Sequence, residues 1–362
     1  MKLSIKTTKL QEMVSRAVKG ASNNKLIPLT SLMAIELNSS KLTLITTDAT
    51  NYLYVIEDKV VGEDFYVVVA VDTFAKLISR MTSENVSLEL KENSLEVIGN
   101  GTYNIELPLD ENGELIKYPD PAKDFSSSNS AITVNLSVIK TILNSVKPSL
   151  AITLENPCYT GYYVGDKIVA TDSFKIASMD VNLFNTNVLI SPEMMNLLDV
   201  MTDEKISVSI QDNIIAFITD NCVVYGNLME GIEDYEIVAI SGLLDTKFGS
   251  VCKLPKSALL QVLDRLSLFV GTYDKNGIRL TFTKEGLQIS SKAANGVELI
   301  EYVESKKFKE FTCLIDIEMW TQQIKAQATD VIELHYGLDN AVKMVDGNIT
   351  QITALLEENE SE

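Results

Sequence analysis

The sequence predicts an α+β fold of three similar domains, and three observations carry that prediction. First, a short apolar strand runs into an amphipathic helix near Ile5, again near Val134 and again near Leu254. The helical positions recur in phase: Leu10, Met13, Val14, Ala17; Ile139, Ile142, Leu143, Val146; Leu259, Val262, Leu263, Leu266. Each set has the i, i+3, i+4, i+7 spacing that gathers apolar side chains on one helix face. Second, the copies stand 129 and then 120 residues apart, which suits whole domains and is too long for solenoid units. Third, each copy is followed by another strand–helix–hairpin set. Every domain therefore divides into two similar halves, with helices covering one face of its sheets.

In the first domain, residues 1–124, Tyr66–Val71 reads as a strand and a helix follows through Phe74, Leu77, Ile78 and Met81. Strands Val86–Leu90 and Leu95–Ile98 come next, and the Asn100-Gly101 turn returns the chain along Tyr103–Leu107. The second domain, residues 125–247, repeats this with Val188–Ile190 and a helix opened by Ser191-Pro192, an N-cap and first-turn pair. Met194, Leu197, Leu198 and Met201 each lie 120 residues after their counterparts, and strands Ile206–Ile210 and Ile214–Ile218 follow. The third domain, residues 248–362, has Thr312–Ile315, a helix capped by Asp316, then Val331–His335, Val342–Val345 and Ile349–Thr353. Its helix matches least well, because Gln322 and Gln323 fall where the other copies are apolar. Tyr118–Ser130, with two prolines and a serine run, and Ser241–Ser250 read as linkers; Glu357–Glu362 reads as an acidic fray.

Catalytic apparatus is missing from this inventory. The lone histidine, His335, falls in a strand, so neither a zinc site nor a Ser-His-Asp triad can be assembled around it. Neither GxxxxGK[ST] nor GxGxxG occurs, and no carboxylate cluster stands out among the 50 acids. Trp320 and the tyrosines read as packing residues. The expectation is a protein that is not an enzyme and uses no cofactor and no metal. Cys158, Cys222, Cys252 and Cys313 are far apart and read as free buried thiols in a reducing cytoplasm. The start shows no signal peptide, and no apolar run is long enough for a membrane span.

The charge is uneven. The chain carries −19 overall, which excludes a protein coated with nucleic acid over its whole surface. Yet the six repeat helices hold ten basic residues, Lys9, Arg16, Lys19, Lys76, Arg80, Lys140, Lys147, Lys256, Arg265 and Lys325, against six acidic ones. They sum to +4 and leave −23 on the remainder. Helices accept glutamate nearly as well as lysine, so propensity does not explain the separation. A positive helical surface on a negative body suits a channel that holds phosphates without reading bases.

One segment identifies a family. Lys167–Ser178, KIVATDSFKIAS, closely resembles the VATD-(Gly/Ser)-x-(Arg/Lys)-(Leu/Ile)-A signature of bacterial sliding clamps, the beta subunits of DNA polymerase III. LIPLTSLMAIEL (Leu26–Leu37) and GIEDYEI (Gly231–Ile237, with Glu233 in place of the family's proline) resemble two further stretches. The resemblance covers all three domains. It implies domains that are each a pair of β-α-β-β-β units, and two chains closed head to tail into a homodimeric ring lined by helices. Such a ring encloses duplex DNA, sequence-independently, and tethers the replicative polymerase. The basic helical residues would then face DNA, joined by Lys25.

The resemblance also implies a pocket between domains two and three for short peptide motifs from polymerase, clamp loader and repair proteins. It places Tyr159, Thr171, Ser173, Phe174, Lys175, Ile176, Ile237, Val238, Ile352, Ala354 and Leu356 there, with Lys175 and Thr171 at the rim. It sets Tyr103 and Ile105 against Phe269 and Val270 across the ring interface. This chain ends in ALLEENESE instead of the family's usual short Met/Pro/Arg/Leu-type strand, which suits a phage-encoded or otherwise specialised clamp. The competing expectation, from the acidic charge and the base-free helix at 192–201, is a clamp-fold interaction scaffold that does not encircle DNA.

Overall fold

A computed structural model describes residues 1–122, 132–271 and 276–357. Among them are seven α-helices: α1 (Thr7–Ala17), α2 (Val71–Ser79), α3 (Leu136–Ser145), α4 (Pro192–Leu197), α5 (Ile237–Leu244), α6 (Lys256–Leu266) and α7 (Ile317–Ala326). None is long and apolar enough to cross a membrane. The chain groups into two compact units, Met1–Ile139 with Glu193–Leu228, and Lys140–Pro192 with Met229–Glu362. Sheets run on from one repeat into the next within each unit.

The first unit holds a five-stranded antiparallel sheet with Lys2–Lys6 near one end and Thr102–Glu106 as its far edge. Its second sheet has eight strands. There Cys222–Asn227 of the second repeat pairs with Asn51–Glu57 of the first, Val224 opposite Leu53. Helix α1 buries Leu10, Met13, Val14 and Ala17, as its periodicity predicts. It is tied to the end of α2 by the Gln11 amide, which donates to the Ile78 and Met81 carbonyls at 3.0 and 2.9 Å.

The second unit is built on a nine-stranded sheet in which Lys175–Met179 pairs with Ile349–Ala354, Ile176 opposite Ile352. A four-stranded sheet ends at the edge strand Val297–Glu301. Its core gathers Leu259, Val262, Leu263 and Leu266 of α6 with Ile317, Trp320 and Ile324 of α7. Asp316 caps α7, accepting from the Glu318 and Met319 amides at 2.8 and 2.9 Å.

Both expected linkers need correction. The segment from Tyr118 opens as packed chain: the Tyr118 amide donates to the Tyr66 hydroxyl at 2.8 Å, and the Tyr54 hydroxyl donates to Asp120 at 2.9 Å. Its remainder, like most of the acidic tail, lies outside the described residues. The segment from Ser241 begins inside α5, whose carbonyl end is closed by Lys343, its Nζ donating to the Leu244 carbonyl at 2.6 Å. The predicted helix at 192–201 is α4 followed by a tighter turn at Leu198–Val200. All four cysteines are buried, and burial pushes the Cys252 and Cys313 thiols up to about 12.

Candidate functional site

The apolar site lies within the second unit. Its floor is a cluster of Tyr159, Tyr163, Ile176, Tyr235, Ile240 and Ile352 among others. Tyr235 organises it, stacking on Tyr163 with centroids 5.2 Å apart and meeting Tyr159 edge-on at 5.1 Å. Its hydroxyl donates to the Val169 carbonyl at 3.2 Å, and burial raises its pKa strongly. Ile237 at the start of α5 packs against this floor, with Val238, 84% exposed, next to it in the chain, and Phe174, 60% exposed, lies two residues before Ile176. Bulky apolar groups left in water beside an apolar floor suit capture of an apolar anchor.

Phe174 is presented by a tight turn. Asp172 Oδ1 accepts from the Phe174 and Lys175 amides at 3.0 and 2.8 Å, while the Thr171 hydroxyl donates to the Lys175 carbonyl at 2.9 Å. Ser173 pays for the reversal with a left-handed φ of +76°. Thr171 and Lys175, expected at the rim, are buried instead: Thr171 staples the turn, and Lys175 forms an ion pair with Asp172 at 2.7 Å. The same construction recurs in the first unit. There Asp48 accepts from Thr50 and Asn51 at 2.9 and 2.7 Å, Thr47 donates to the Asn51 carbonyl, and Ala49 has φ +88°. The Thr-Asp pair of the signature is thus a turn-forming device that the fold uses twice, and the apolar residues after it make the site.

The C-terminal strand closes this side. The Ala354 amide donates to the Phe174 carbonyl and the Leu356 amide to the Leu314 carbonyl, each at 2.8 Å, so both half-buried residues are anchored despite the diverged tail. Beneath lies a polar seam. Gln323, fully buried, donates to Ser149 Oγ, the Ile176 carbonyl and the Ile352 carbonyl at 3.2, 3.1 and 3.2 Å, and accepts from the Thr353 hydroxyl. The glutamine that breaks the helical pattern is the clasp between α7 and the two strands of the floor. Tyr163, Tyr235 and Ile240 are absent from the sequence assignment, although Tyr235 lies within the GIEDYEI stretch that carries part of the resemblance.

The basic residues divide. In the first unit Lys9 pairs with Glu57 at 3.0 Å, and this hydrogen bond raises its pKa. Arg16 is half-buried, donating to the Val200 carbonyl at 3.1 Å and Asn221 Oδ1 at 2.6 Å. Lys76 pairs with Asp72 at 2.7 Å. In the second unit Arg265 forks onto Glu298, and Lys256 closes the end of α7 through the Lys325 and Gln327 carbonyls. Lys19, Lys25, Arg80, Lys140 and Lys325 are exposed, with no acidic partner within ion-pair distance among the described residues; Lys147 is also exposed. The +4 of the helices is therefore partly spent inside the protein. A groove of about 1150 Å³ lies between α1 and α2 in the first unit, lined by Gln11, Ser15, Lys19, Lys76 and Ser79 among others. Its lining mixes these polar side chains with apolar ones, Val14, Val18, Val71 and Ile78 among them.

Of the interface residues, Tyr103 stands exposed on the edge strand Thr102–Glu106 and Phe269 is half-exposed, whereas Ile105 is buried and Val270 packs partly on the core. Another sheet edge, Val297–Glu301, presents Val297 and Leu299 to solvent, two residues that the sequence assignment does not include.

Residues 1–116 match the family described as DNA polymerase III beta subunit, N-terminal domain. No curated protein matches the sequence. The fold is that of bacterial sliding clamps along the whole chain. The DNA polymerase sliding clamp of Bacillus subtilis matches at TM-score 0.87 and 18% identity, and the beta subunit of Streptococcus pyogenes DNA polymerase at 0.88 and 17%. The beta subunit of Borrelia burgdorferi DNA polymerase III, solved with a natural product, matches at 0.85 and 16%. In each case 99% of this chain and 100% of the other are covered.

Proposed function

We propose that this protein is a DNA sliding clamp: a cytoplasmic, non-enzymatic homodimeric ring that encloses duplex DNA and tethers the replicative polymerase. The observation that carries the reading is the clamp fold over 99% of the chain. Under it the edge strands Thr102–Glu106 and Val297–Glu301 are the surfaces by which copies join, and the three domains of the sequence reading are the arcs of the ring. The experiment is retention on closed circular DNA, lost when the circle is cut; a protein that leaves both at the same rate is no clamp.

Lys19, Lys25, Arg80, Lys140, Lys147 and Lys325 are the cations best placed to meet phosphate, and Lys9, Arg16, Lys76, Lys256 and Arg265 support the helices that carry them. Changing Lys19, Arg80 and Lys140 to glutamine is expected to flatten the plot of log affinity against log salt by up to about 0.9 per lost phosphate contact. An unchanged slope removes these residues from the DNA surface.

The apolar site of the second unit would take short peptides from the polymerase, the clamp loader and repair proteins, with Phe174, Ile237, Val238 and Leu356 around the anchor and Tyr159, Ile176 and Ile352 beneath. Phe174→Ala with Leu356→Ala is expected to weaken a clamp-binding peptide by about 2 to 4 kcal/mol, the range of interface hot spots. The dimer should persist. Calorimetric titration of both proteins checks this, and equal affinities would mean that the peptide docks elsewhere.

A further inference from the structure

The apolar site of the second unit is bordered by acid. Met229, Ile232 and Ile237 pack against its floor and Tyr235 is part of it, while Glu230, Glu233, Asp234 and Glu236 between them are all exposed. A tight turn at Ile232–Asp234, entered through Gly231 at φ +83°, sets this alternation. There the Asp234 and Tyr235 amides donate to the Gly231 and Ile232 carbonyls at 3.1 and 3.2 Å. The carboxylates stand close enough to be felt on the floor. Burial raises the pKa of Tyr159, and the Glu236 charge adds to the rise; burial also raises the Cys158 thiol, with Asp234 and Glu236 adding to it.

The C-terminal side repeats the sign. Exposed Asp339 lies two residues before Ala341, which packs on the same floor, and exposed Glu357 directly follows Leu356. Residues 229–246 and 344–357 contain no lysine or arginine. None of these six carboxylates has a cation within ion-pair distance among the described residues. The lysines on the adjoining strands are turned to the protein itself: Lys175 pairs with Asp172 at 2.7 Å, and Lys343, its pKa lowered by burial, donates to the Leu244 carbonyl at 2.6 Å. Lys167 precedes Ile168–Thr171 and Lys247 follows α5, each at the end away from Phe174 and Ile237. Charges of one sign beside an apolar wall act more strongly than they would in open water. An acidic segment would be repelled here, and a neutral one would leave the carboxylates unanswered.

We infer that this site selects peptides whose apolar anchor is flanked by lysine or arginine. The inference rests on the peptide-site reading and adds to it the charge of the segment around the anchor. Random peptides displayed on phage and selected on the whole protein test it, with a Phe174→Ala, Leu356→Ala chain used to remove those that bind elsewhere. The peptides retained should carry Lys or Arg beside their apolar residues. A lysine-flanked version of the strongest should bind about tenfold tighter than a glutamate-flanked one at about 0.1 M salt, the sum of a few exposed ion pairs, read by fluorescence anisotropy. At about 1 M salt, where the screening length is about 3 Å, the ratio should shrink. In a Glu230→Gln, Glu233→Gln, Asp234→Asn, Glu236→Gln chain it should approach one. Retained peptides with neutral or acidic flanks, or a ratio that survives the four substitutions, would overturn the inference; should that chain not fold, a ratio unmoved by salt does the same. Failure of the peptide-site reading would show differently, as selected peptides that the Phe174→Ala, Leu356→Ala chain holds as tightly as its parent.

Discussion

A Leu299→Lys chain is expected to sediment at the single-chain mass of 40.0 kDa, while the unaltered chain sediments at twice that value. Leu299 lies on the edge strand Val297–Glu301, which pairs with Gly286–Ser291 on one side only. Ile300 points into the core, so Val297 and Leu299 share the opposite, solvent-facing side. In the free chain a lysine there costs within about 0.5 kcal/mol, as at most exposed positions. In a joined edge it must bury an ammonium without a partner, at about 3 to 5 kcal/mol, or a hundredfold and more in dissociation constant. Lysine on an edge strand is also the device by which natural sheets refuse further strands. Retention on circular DNA should disappear together with the dimer, and the melting temperature should stay put. A variant that remains dimeric places the ring joint away from this strand.

Gln323→Leu is expected to destabilise the second unit by about 3 kcal/mol, since each buried polar group left without a partner costs about 1 to 3 kcal/mol. Leucine fills a similar volume but strands the Thr353 hydroxyl and Ser149 Oγ, both buried and both bonded to the amide. For a unit of this size the loss corresponds to a melting temperature lower by roughly 6 to 12 °C. The strands that Gln323 clasps carry Ile176 and Ile352, so the clamp-binding peptide should weaken as well. Differential scanning calorimetry reads the first effect. A Gln323→Leu chain as stable as its parent would mean that the seam contributes nothing net, as some buried polar networks do not.

The same glutamine marks the limit of what the sequence discloses. Leu259, Val262, Leu263 and Leu266 announce α6 because they face apolar neighbours, and periodicity detects that. Gln323 faces carbonyls and hydroxyls supplied by residues 149, 176, 352 and 353, all four remote in sequence and on other elements, so it looks like a defect in the pattern. Helix α5 escaped notice for the opposite reason. IVAISGLL is apolar on nearly every side and includes Ser-Gly, so no amphipathic period emerges, although Ile240 and Leu244 are buried while Val238 and Leu243 are exposed. Charge counting failed where partners are distant. Arg16 meets Asn221 and Lys9 meets Glu57, pairings fixed only when the sheets assemble. Asp316, by contrast, was legible because a helix cap acts on amides two and three residues ahead.

The interleaving of the two units governs the order in which the chain can mature. Strand Asn51–Glu57 receives its partner Cys222–Asn227 only after some 170 further residues have been made, and Lys175–Met179 waits for Ile349–Ala354 at the far end of the chain. During synthesis the early half of each sheet therefore carries an unfilled edge, the geometry that recruits strands from neighbouring chains. Pairings so distant in sequence also make folding slow. Each sheet closes only when strands from distant parts of the chain meet, so the early strands keep an open edge through most of synthesis.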